Sequence, residues 1–248
     1  NLKWTKKFVE NNITNIEKNY SLYPNKNRWN CNCHVVHDDD KNVYLIDYNF
    51  LRKKYEKLVL KVSKKYNIDK MLKLIVPNCT IVVTDGITEG AASTTLLAKQ
   101  FINNDNPLVI ANSDQYIEWN PREAMYNFTS KDIDGGILTF NSTHPKWSYA
   151  KTDDNGTVTE VAEKNPISTN ATVGIYYWKA GKNYVTSAEE MIEKNIRVNN
   201  EFYVCPVFNE LILDGGKVRV KTIDESGMWG LGTPEDLDYY LKNYNNGL

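Results

Sequence analysis

Short apolar segments alternate with helical patterns along most of this chain, and this alternation restricts the fold more than any other feature. The clearest apolar segment is Leu108–Ala111, whose length and branched side chains are typical of a buried strand in a parallel sheet. Helical patterns lie on both sides of it, at 89–103 with Thr88 as the predicted N-cap and at 121–130 with proline in the first turn. We therefore predict an α/β fold whose mixed, mostly parallel sheet is flanked by helices.

The same pattern continues towards the C-terminus. Asn155-Gly156 lies between two apolar runs and predicts a hairpin turn. The further predicted strands are 74–76, 81–83, 136–140, 147–151, 158–162 and 172–178, and the further predicted helices are 187–194, 201–213 and 234–243.

The first 73 residues have a different character. They contain 16 Lys and Arg against 8 Asp and Glu, whereas the rest of the chain contains 14 against 23. The pattern favours a helix at 47–66, and no glycine precedes Gly86. We predict a basic segment 1–73 joined to an α/β domain 74–248, and the charge favours packing against an acidic neighbour over a nucleic-acid surface.

Composition excludes several classes of protein. The chain is 41% hydrophobic and 25% charged, as in ordinary globular proteins, and no run of about 18 apolar residues predicts a membrane span. Its four cysteines form no spaced framework, so we expect a reducing compartment, the cytoplasm. We expect no membrane partner and no nucleic-acid partner.

One cluster of metal-binding residue types lies in the basic segment. Cys31, Cys33, His34 and His37 are followed by three aspartates at 38–40. These side chains can bind zinc, but their spacing matches no standard zinc pattern. A polar loop is therefore favoured, and a metal site stays open.

Asp114 is the first candidate for catalysis. It follows the predicted strand Leu108–Ala111, and open α/β sheets bind ligands just beyond the carboxyl ends of their strands. A carboxylate there can hold Mg²⁺ against a phosphate group. The alternative is an aspartate that caps a turn.

Two further segments have residue types suited to phosphate and base binding. Glu163 and Lys164 follow a predicted strand, where the lysine can neutralise a phosphate group or lie in an exposed turn. Gly90, Ala92 and Ser93 open a predicted helix, where small residues allow a base or a phosphate to approach, or serve packing alone.

Six motifs in a fixed order resemble the sugar-phosphate nucleotidylyltransferases, which include the glucose-1-phosphate thymidylyltransferases and their capsule-biosynthesis relatives. The similarity covers about 170 residues, and the order is more specific than any single motif. The motifs are TEGAAS from Thr88, LVIANSDQ from Leu108, EKNP from Glu163, TVGIYY from Thr172, NEFY from Asn200 and WGLGTPEDL from Trp229.

This resemblance implies a fold and a reaction. The fold is a glycosyltransferase-A-like α/β domain of the nucleotide-diphospho-sugar transferase type. The reaction is attack by a sugar phosphate on the α-phosphorus of a nucleoside triphosphate, with Mg²⁺, to give a nucleotide sugar and pyrophosphate for surface polysaccharide synthesis. A homo-oligomer or a partner subunit stays open.

The resemblance also implies site residues. Asp114 would bind the metal and, with Lys164, form the catalytic pair. The substrate-binding residues would be Gly90, Ala92 and Ser93 near the base, Glu163 and Lys164 at the sugar phosphate, Gly174 and Tyr176 in the sugar pocket, and Glu201 at the sugar hydroxyls.

Two departures from the family pattern keep alternatives open. The family begins with a glycine-rich phosphate loop, and the first 85 residues of this chain contain no glycine. Many members have a second metal-binding aspartate where this chain has Gly230, and Asp224 or Glu225 are the nearby substitutes. The alternatives are a non-catalytic relative that binds a nucleotide sugar, and a glycosyltransferase of the same fold.

Overall fold

A computed structural model describes residues 33–37, 43–47, 72–74, 76–84 and 86–244. Of residues 33–37 and 43–47 it describes the backbone only. The chain forms two compact units, and each is described by itself. The first unit comprises Asn1–Ile81, Ser113–Tyr116 and Trp229–Leu248, and the second comprises Val82–Asn112 and Ile117–Met228.

Strands and helices alternate through the described residues. The strands are β1 Cys33–His37, β2 Val43–Asp47, β3 Leu108–Ala111, β4 Gln115–Ile117, β5 Gly135–Asn141, β6 Ser148–Thr152, β7 Val158–Glu163, β8 Asn170–Trp178, β9 Val218–Thr222 and β10 Met228–Gly230. The α-helices are α1 Ala91–Leu96, α2 Lys99–Ile102, α3 Pro121–Thr129, α4 Gly181–Glu193, α5 Val207–Leu213 and α6 Pro234–Asn243.

A six-stranded sheet organises the second unit. Its order is β7-β6-β8-β5-β9, with β3 also paired to β8. Only the β5–β9 pair is parallel, and the other four pairings are antiparallel. The prediction of a mixed sheet is confirmed, whereas the prediction that it is mostly parallel is wrong.

The error came from the apolar segment of β3. Its residues alternate between partly buried and exposed, and the Val109 side chain is 46% exposed. A strand with one covered face is typical of antiparallel pairing, so a short apolar run did not require burial on both faces.

Helices cover both faces of this sheet. On one face Trp178 of β8 stacks on Phe208 of α5, with ring centroids 4.1 Å apart and an interplanar angle of 13°. On the other face Leu138 of β5 packs in a cluster with Ala124 of α3. Burial of this apolar area on both faces is the main term that stabilises the unit, and the predicted flanking helices are confirmed.

Several predicted elements are confirmed within a few residues. The predicted helix 121–130 is α3, with Pro121 in its first turn and Asn120 as the N-cap. The Asn155-Gly156 turn lies between the paired strands β6 and β7. The predicted helix 234–243 is α6.

Other predicted elements are wrong. The predicted helix 89–103 is split into α1 and α2, because the hydroxyls of Thr94 and Thr95 bond the carbonyls four residues earlier, which competes with a regular helix. Its N-cap is Gly90, whereas the Thr88 hydroxyl donates to the Gly90 carbonyl at 3.2 Å. The predicted helix 201–213 begins only at Val207.

Several predictions near the first unit are wrong or lie outside the described residues. Residues 72–74 have helical backbone and 81–83 are irregular, so the strands predicted at 74–76 and 81–83 are wrong. Residues 33–37 form β1, which pairs with β2 in antiparallel fashion, so the favoured polar loop is wrong there. Most of the helix predicted at 47–66 lies outside the described residues, as does Cys31.

In the first unit, α6 carries part of an aromatic cluster. Tyr240 and Tyr244 stack with centroids 4.6 Å apart, and Trp229 and Tyr116 contact them edge-on or tilted. Leu237 of the same helix is fully buried. Within the described residues, no helix has the length and apolar character needed to cross a bilayer.

Candidate functional site

The start of α1 is bonded directly to the segment that precedes α5. The Phe202 amide donates to the Glu89 carbonyl at 2.8 Å, and the Ala92 amide donates to the Phe202 carbonyl at 3.0 Å. Gly90 has φ 126°, and a Cβ there would lie 2.5 Å from the Phe202 carbonyl oxygen. The TEGAAS and NEFY motifs therefore form one junction that only glycine permits.

Side chains strengthen this junction. The Arg197 guanidinium lies 3.8 Å from the centre of the Phe202 ring and bonds the Glu89 carboxylate at 2.8 Å. Asn199 and Asn200 have φ of 49° and 64°, as the central residues of a tight primed turn require. This turn places Glu201 next to the anchored Phe202.

The predicted base-binding residues have different surroundings. Gly90 contacts the Phe202 backbone, Ala92 is fully buried, and Ser93 is partly buried on α1. Packing alone accounts for the small size of Gly90 and Ala92. Their approach to a base stays a prediction.

Lys164 lies at a sharp corner just after β7. Its backbone has φ 54°, and its amide donates to the Trp147 carbonyl at 3.0 Å. The Lys164 ammonium donates to the Tyr203 hydroxyl oxygen at 2.8 Å. The Ser148 hydroxyl donates to the Glu163 carboxylate. We refer to Ser148, Glu163, Lys164 and Tyr203 as the lysine corner.

The lysine corner favours the charged form of its lysine. Burial lowers the pKa of Lys164, but the hydrogen bond with Tyr203 and the nearby Glu163 and Glu201 carboxylates raise it by more, so its pKa lies above the ordinary value. Burial raises the pKa of Glu163, against the Ser148 hydrogen bond and Lys164, and Glu201 raises it further. The corner thus presents an ammonium group beside two carboxylates.

Gly174 lies at an irregular point of β8. It has φ 73°, and the register between β5 and β8 shifts beside it. The Asn112 amide donates to the Gly174 carbonyl at 2.8 Å, and a Cβ on Gly174 would overlap the Asn112 side chain. Glycine is therefore required here by both its conformation and its close neighbour.

Tyr176 lies two residues further along β8 and is buried. Its hydroxyl and that of Thr172 are 3.0 Å apart, and burial raises its pKa well above the ordinary value. Its ring tilts against Phe208 at 5.9 Å between centroids. Core packing accounts for this tyrosine, and its contact with a sugar stays a prediction.

Asp114 belongs to the first unit and follows β3 at an interval of two residues. Its carbonyl accepts from the Leu231 amide at 2.9 Å. Burial raises the pKa of the Asp114 carboxyl and a backbone hydrogen bond lowers it, while the like charge of Asp236 raises it further. A partly buried carboxylate beside a second carboxylate is the donor chemistry that suits a hard divalent cation.

Asp236, and neither Asp224 nor Glu225, is the carboxylate whose charge acts on Asp114. It lies in the first turn of α6, where its amide donates to the Thr233 hydroxyl at 3.0 Å. Asp224 is instead exposed and accepts from the amide and hydroxyl of Ser226, as a local cap. Among the side chains that the structure describes, no three acidic, histidine or cysteine residues form a metal cluster.

Three functional candidates escaped the sequence analysis. Tyr203 belongs to the NEFY motif, in which we assigned a role only to Glu201, so the motif itself could have indicated this tyrosine. Asp236 likewise belongs to the WGLGTPEDL motif. Ser148 belongs to no motif, and only the pairing of Ser148 with Glu163 across β6 and β7 brings the two together.

Comparisons with known proteins agree with this fold. Residues 51–240 match the sequence profile of a protein family described as nucleotidyl transferase. The match begins inside the segment 1–73 that was expected to be unmatched, and the division at residue 73 stays a prediction. No curated protein matches the chain.

Two solved structures are similar to the chain. One is a nucleoside-diphosphate-sugar pyrophosphorylase from Vibrio cholerae RC9, with 24% identity, a TM-score of 0.61 and coverage of 77% of this chain and 78% of that chain. The other, from Bacillus anthracis, is assigned as a glucose-1-phosphate thymidylyltransferase in complex with sucrose, with 20% identity, a TM-score of 0.47 and coverage of 64% of this chain and 63% of that chain. The first similarity supports the fold.

Proposed function

The chain belongs to the nucleotidyl transferase family, and we propose that it joins a nucleoside triphosphate to a sugar phosphate, giving a nucleotide sugar and pyrophosphate. The observation that carries this proposal is the lysine corner, where Lys164 is held by the Tyr203 hydroxyl and kept charged by two carboxylates. A fixed ammonium group suits a phosphate ligand, and the carboxylates suit hydroxyl donors of a sugar.

The lysine corner would bind and orient the sugar phosphate. In this proposal Lys164 meets the phosphate oxygens, while Glu163 and Glu201 accept hydrogen bonds from sugar hydroxyls. Ser148 fixes the Glu163 carboxylate. Positioning of the attacking phosphate oxygen in line with the α-phosphorus is where such a site gains most of its rate.

Asp114, with Asp236 as its neighbour, would hold Mg²⁺. Both carboxylates fit a hard cation, and the raised pKa of Asp114 reflects burial and the Asp236 charge that a cation would offset. Bound Mg²⁺ supplies neutralisation of charge on the phosphate oxygens.

The remaining predicted contacts form part of the same proposal. The segment of Gly90, Ala92 and Ser93 would lie near the base, and Ala92, which is buried as a whole residue, would pack behind it. Gly174 and Tyr176 would border the sugar. We place the reaction in the cytoplasm, as a step towards surface polysaccharide, and the free thiols of Cys79 and Cys205 are compatible with a reducing compartment.

One observation favours a second candidate, a non-catalytic relative that binds a nucleotide sugar. The family's phosphate loop is rich in glycine, and residues 1–85 of this chain contain none.

Pyrophosphate release tests the proposal. The full chain would be assayed with Mg²⁺, four nucleoside triphosphates and a panel of sugar 1-phosphates, beside Asp114→Ala and the control Asp105→Ala, whose side chain is 84% exposed. The proposal expects release by the wild type and the control, and its loss in Asp114→Ala. No release from any pair would contradict the catalytic function and favour the binding relative. Hydrolysis of a nucleotide sugar without pyrophosphate release would instead indicate a glycosyltransferase.

A further inference from the structure

The Tyr203 hydroxyl has a donor left to offer. Its oxygen accepts a hydrogen bond from the Lys164 ammonium at 2.8 Å, and the ammonium also lies over the ring, 4.9 Å from its centre. A phenol that accepts one hydrogen bond still carries one O–H donor. No acceptor for that donor is found among the described residues.

The Lys164 ammonium is in a similar position. It has three N–H donors, and one of them is used by Tyr203. One oxygen of the carboxylate of Glu163, the preceding residue, accepts a hydrogen bond from the Ser148 hydroxyl. Beside the Glu163 and Glu201 carboxylates, Lys164 and Tyr203 thus still present ammonium and hydroxyl donors, which is the chemistry that binds a phosphate oxygen.

The backbone holds Tyr203 firmly in this position. Its neighbour Phe202 is fully buried and bonded through both its amide and its carbonyl to the start of α1. On the other side Val204 and Cys205 are buried. The Tyr203 side chain is partly buried, so the hydroxyl is presented with little freedom to lose on binding.

We infer that Tyr203 is a phosphate-binding residue, which donates its O–H to the phosphate group of the sugar phosphate that Lys164 binds. This inference rests on the proposed function for the choice of ligand. The lysine supplies charge as a point charge, and the tyrosine adds a directed O–H donor beside it. The pair therefore selects a phosphorylated sugar over the free sugar.

Direct binding to the full chain tests the inference without turnover. Inorganic phosphate, glucose 1-phosphate and glucose would be titrated calorimetrically against the wild type, Tyr203→Phe and the control Tyr126→Phe, whose side chain is 72% exposed. Tyr203→Phe keeps the ring and removes the oxygen. We expect the Kd for both phosphate ligands to rise about tenfold in Tyr203→Phe, and to stay unchanged in Tyr126→Phe.

A double-mutant cycle separates this role from a structural one. Lys164→Gln should also weaken phosphate binding, and the effects of Tyr203→Phe and Lys164→Gln should not add, because the two residues contact each other and act on one phosphate. Glucose binding and the unfolding temperature should not differ between Tyr203→Phe and the wild type.

Each outcome decides one proposal. Equal phosphate affinity in the wild type and Tyr203→Phe would overturn the inference and leave the proposed function standing. Failure of the wild type to bind either phosphate ligand would also overturn it. Loss of phosphate binding in Tyr203→Phe, without pyrophosphate release by the wild type, would support the inference and contradict the catalytic function.

Discussion

Lys164 and Asp114 carry opposite charges, and the protein treats these two charges in opposite ways. The surroundings of Lys164 favour its charged form, because Tyr203 and two carboxylates outweigh the effect of burial. The surroundings of Asp114 disfavour its charged form, because burial and Asp236 act in the same direction. Lys164 therefore keeps a positive charge that can meet a phosphate group, and in the proposed function a bound cation would offset the charge of Asp114.

The two regions also differ in how firmly the backbone holds them. Near Lys164, Asn209 of α5 bonds both the amide and the carbonyl of Val161 in the edge strand β7, each at 2.9 Å. Asp114 lies between two short strands, β3 and β4. The lysine corner is thus held on a rigid template, and in the proposed function Asp114 binds a cation.

Gly90→Ala should destabilise the rigid template, and among these variants it should have the largest effect on the unfolding free energy. A Cβ at φ 126° would lie 2.5 Å from the Phe202 carbonyl oxygen, and neither backbone segment can move without breaking hydrogen bonds. We expect the free energy of unfolding to fall by more than about 3 kcal/mol in a denaturant titration. The control is Gly215→Ala, where φ is 84° but nothing lies within 4 Å, and the expected cost is about 1 kcal/mol. Equal costs would contradict the junction.

Asn209→Ala should weaken the same template by less. It removes two hydrogen bonds to the edge strand β7, so we expect a loss of about 2 kcal/mol in unfolding free energy. The control is Asn127→Ala, which removes an exposed hydrogen bond with Lys131 on α3 and should cost a few tenths of a kcal/mol, about 0.3. A small loss in Asn209→Ala would show that β7 does not depend on α5.

Asp236→Asn should change the pH dependence of activity through the pKa of Asp114. Cation binding requires the ionised carboxylate, so activity should fall as the pH drops through the pKa of Asp114, at a higher pH than the ordinary value of 3.8 implies. Removal of the Asp236 charge lowers that pKa, so the acid limb of the pH–rate profile should move to lower pH. Glu235→Gln, in the same exposed turn, should leave the limb in place. An unmoved limb in Asp236→Asn would contradict the pairing.

Asp114→Asn should produce the smallest effect, a gain in stability. The folded-state pKa of Asp114 is raised, so the folded state binds more protons than the unfolded state between the two pKa values. Stability therefore falls as the pH rises through this window, and the whole loss is present above the folded pKa. Asp114→Asn removes this loss, so its unfolding temperature should exceed that of the wild type at neutral pH and not below pH 3.8, the ordinary pKa. A lower temperature at neutral pH would show that the ionised carboxylate has a partner.

Sequence patterns predicted local features better than long-range ones. The helix with Pro121 in its first turn and the Asn155-Gly156 turn are determined by neighbours in the chain, and both predictions are confirmed. The direction of β3 depends on β8, which is more than 60 residues away, so no local pattern carried it.

The lysine corner shows the same limit. Lys164 was a candidate from its place after a strand, but its partner Tyr203 is 39 residues further on. The segment 201–213 has a helical pattern, yet Phe202 is held in an extended junction by bonds to Glu89 and Ala92. Tertiary hydrogen bonds outweighed local propensity there.

The difference between Lys164 and Asp114 is tested most directly by steady-state pyrophosphate release from Lys164→Gln and Asp114→Asn at varied sugar phosphate and varied Mg²⁺. The account predicts separate effects. Lys164→Gln should raise the KM for the sugar phosphate, by about tenfold or more, and leave the Mg²⁺ requirement unchanged. Asp114→Asn should raise the Mg²⁺ requirement and leave that KM unchanged. If both variants changed the same parameter, the division into a phosphate template and a cation site would be contradicted.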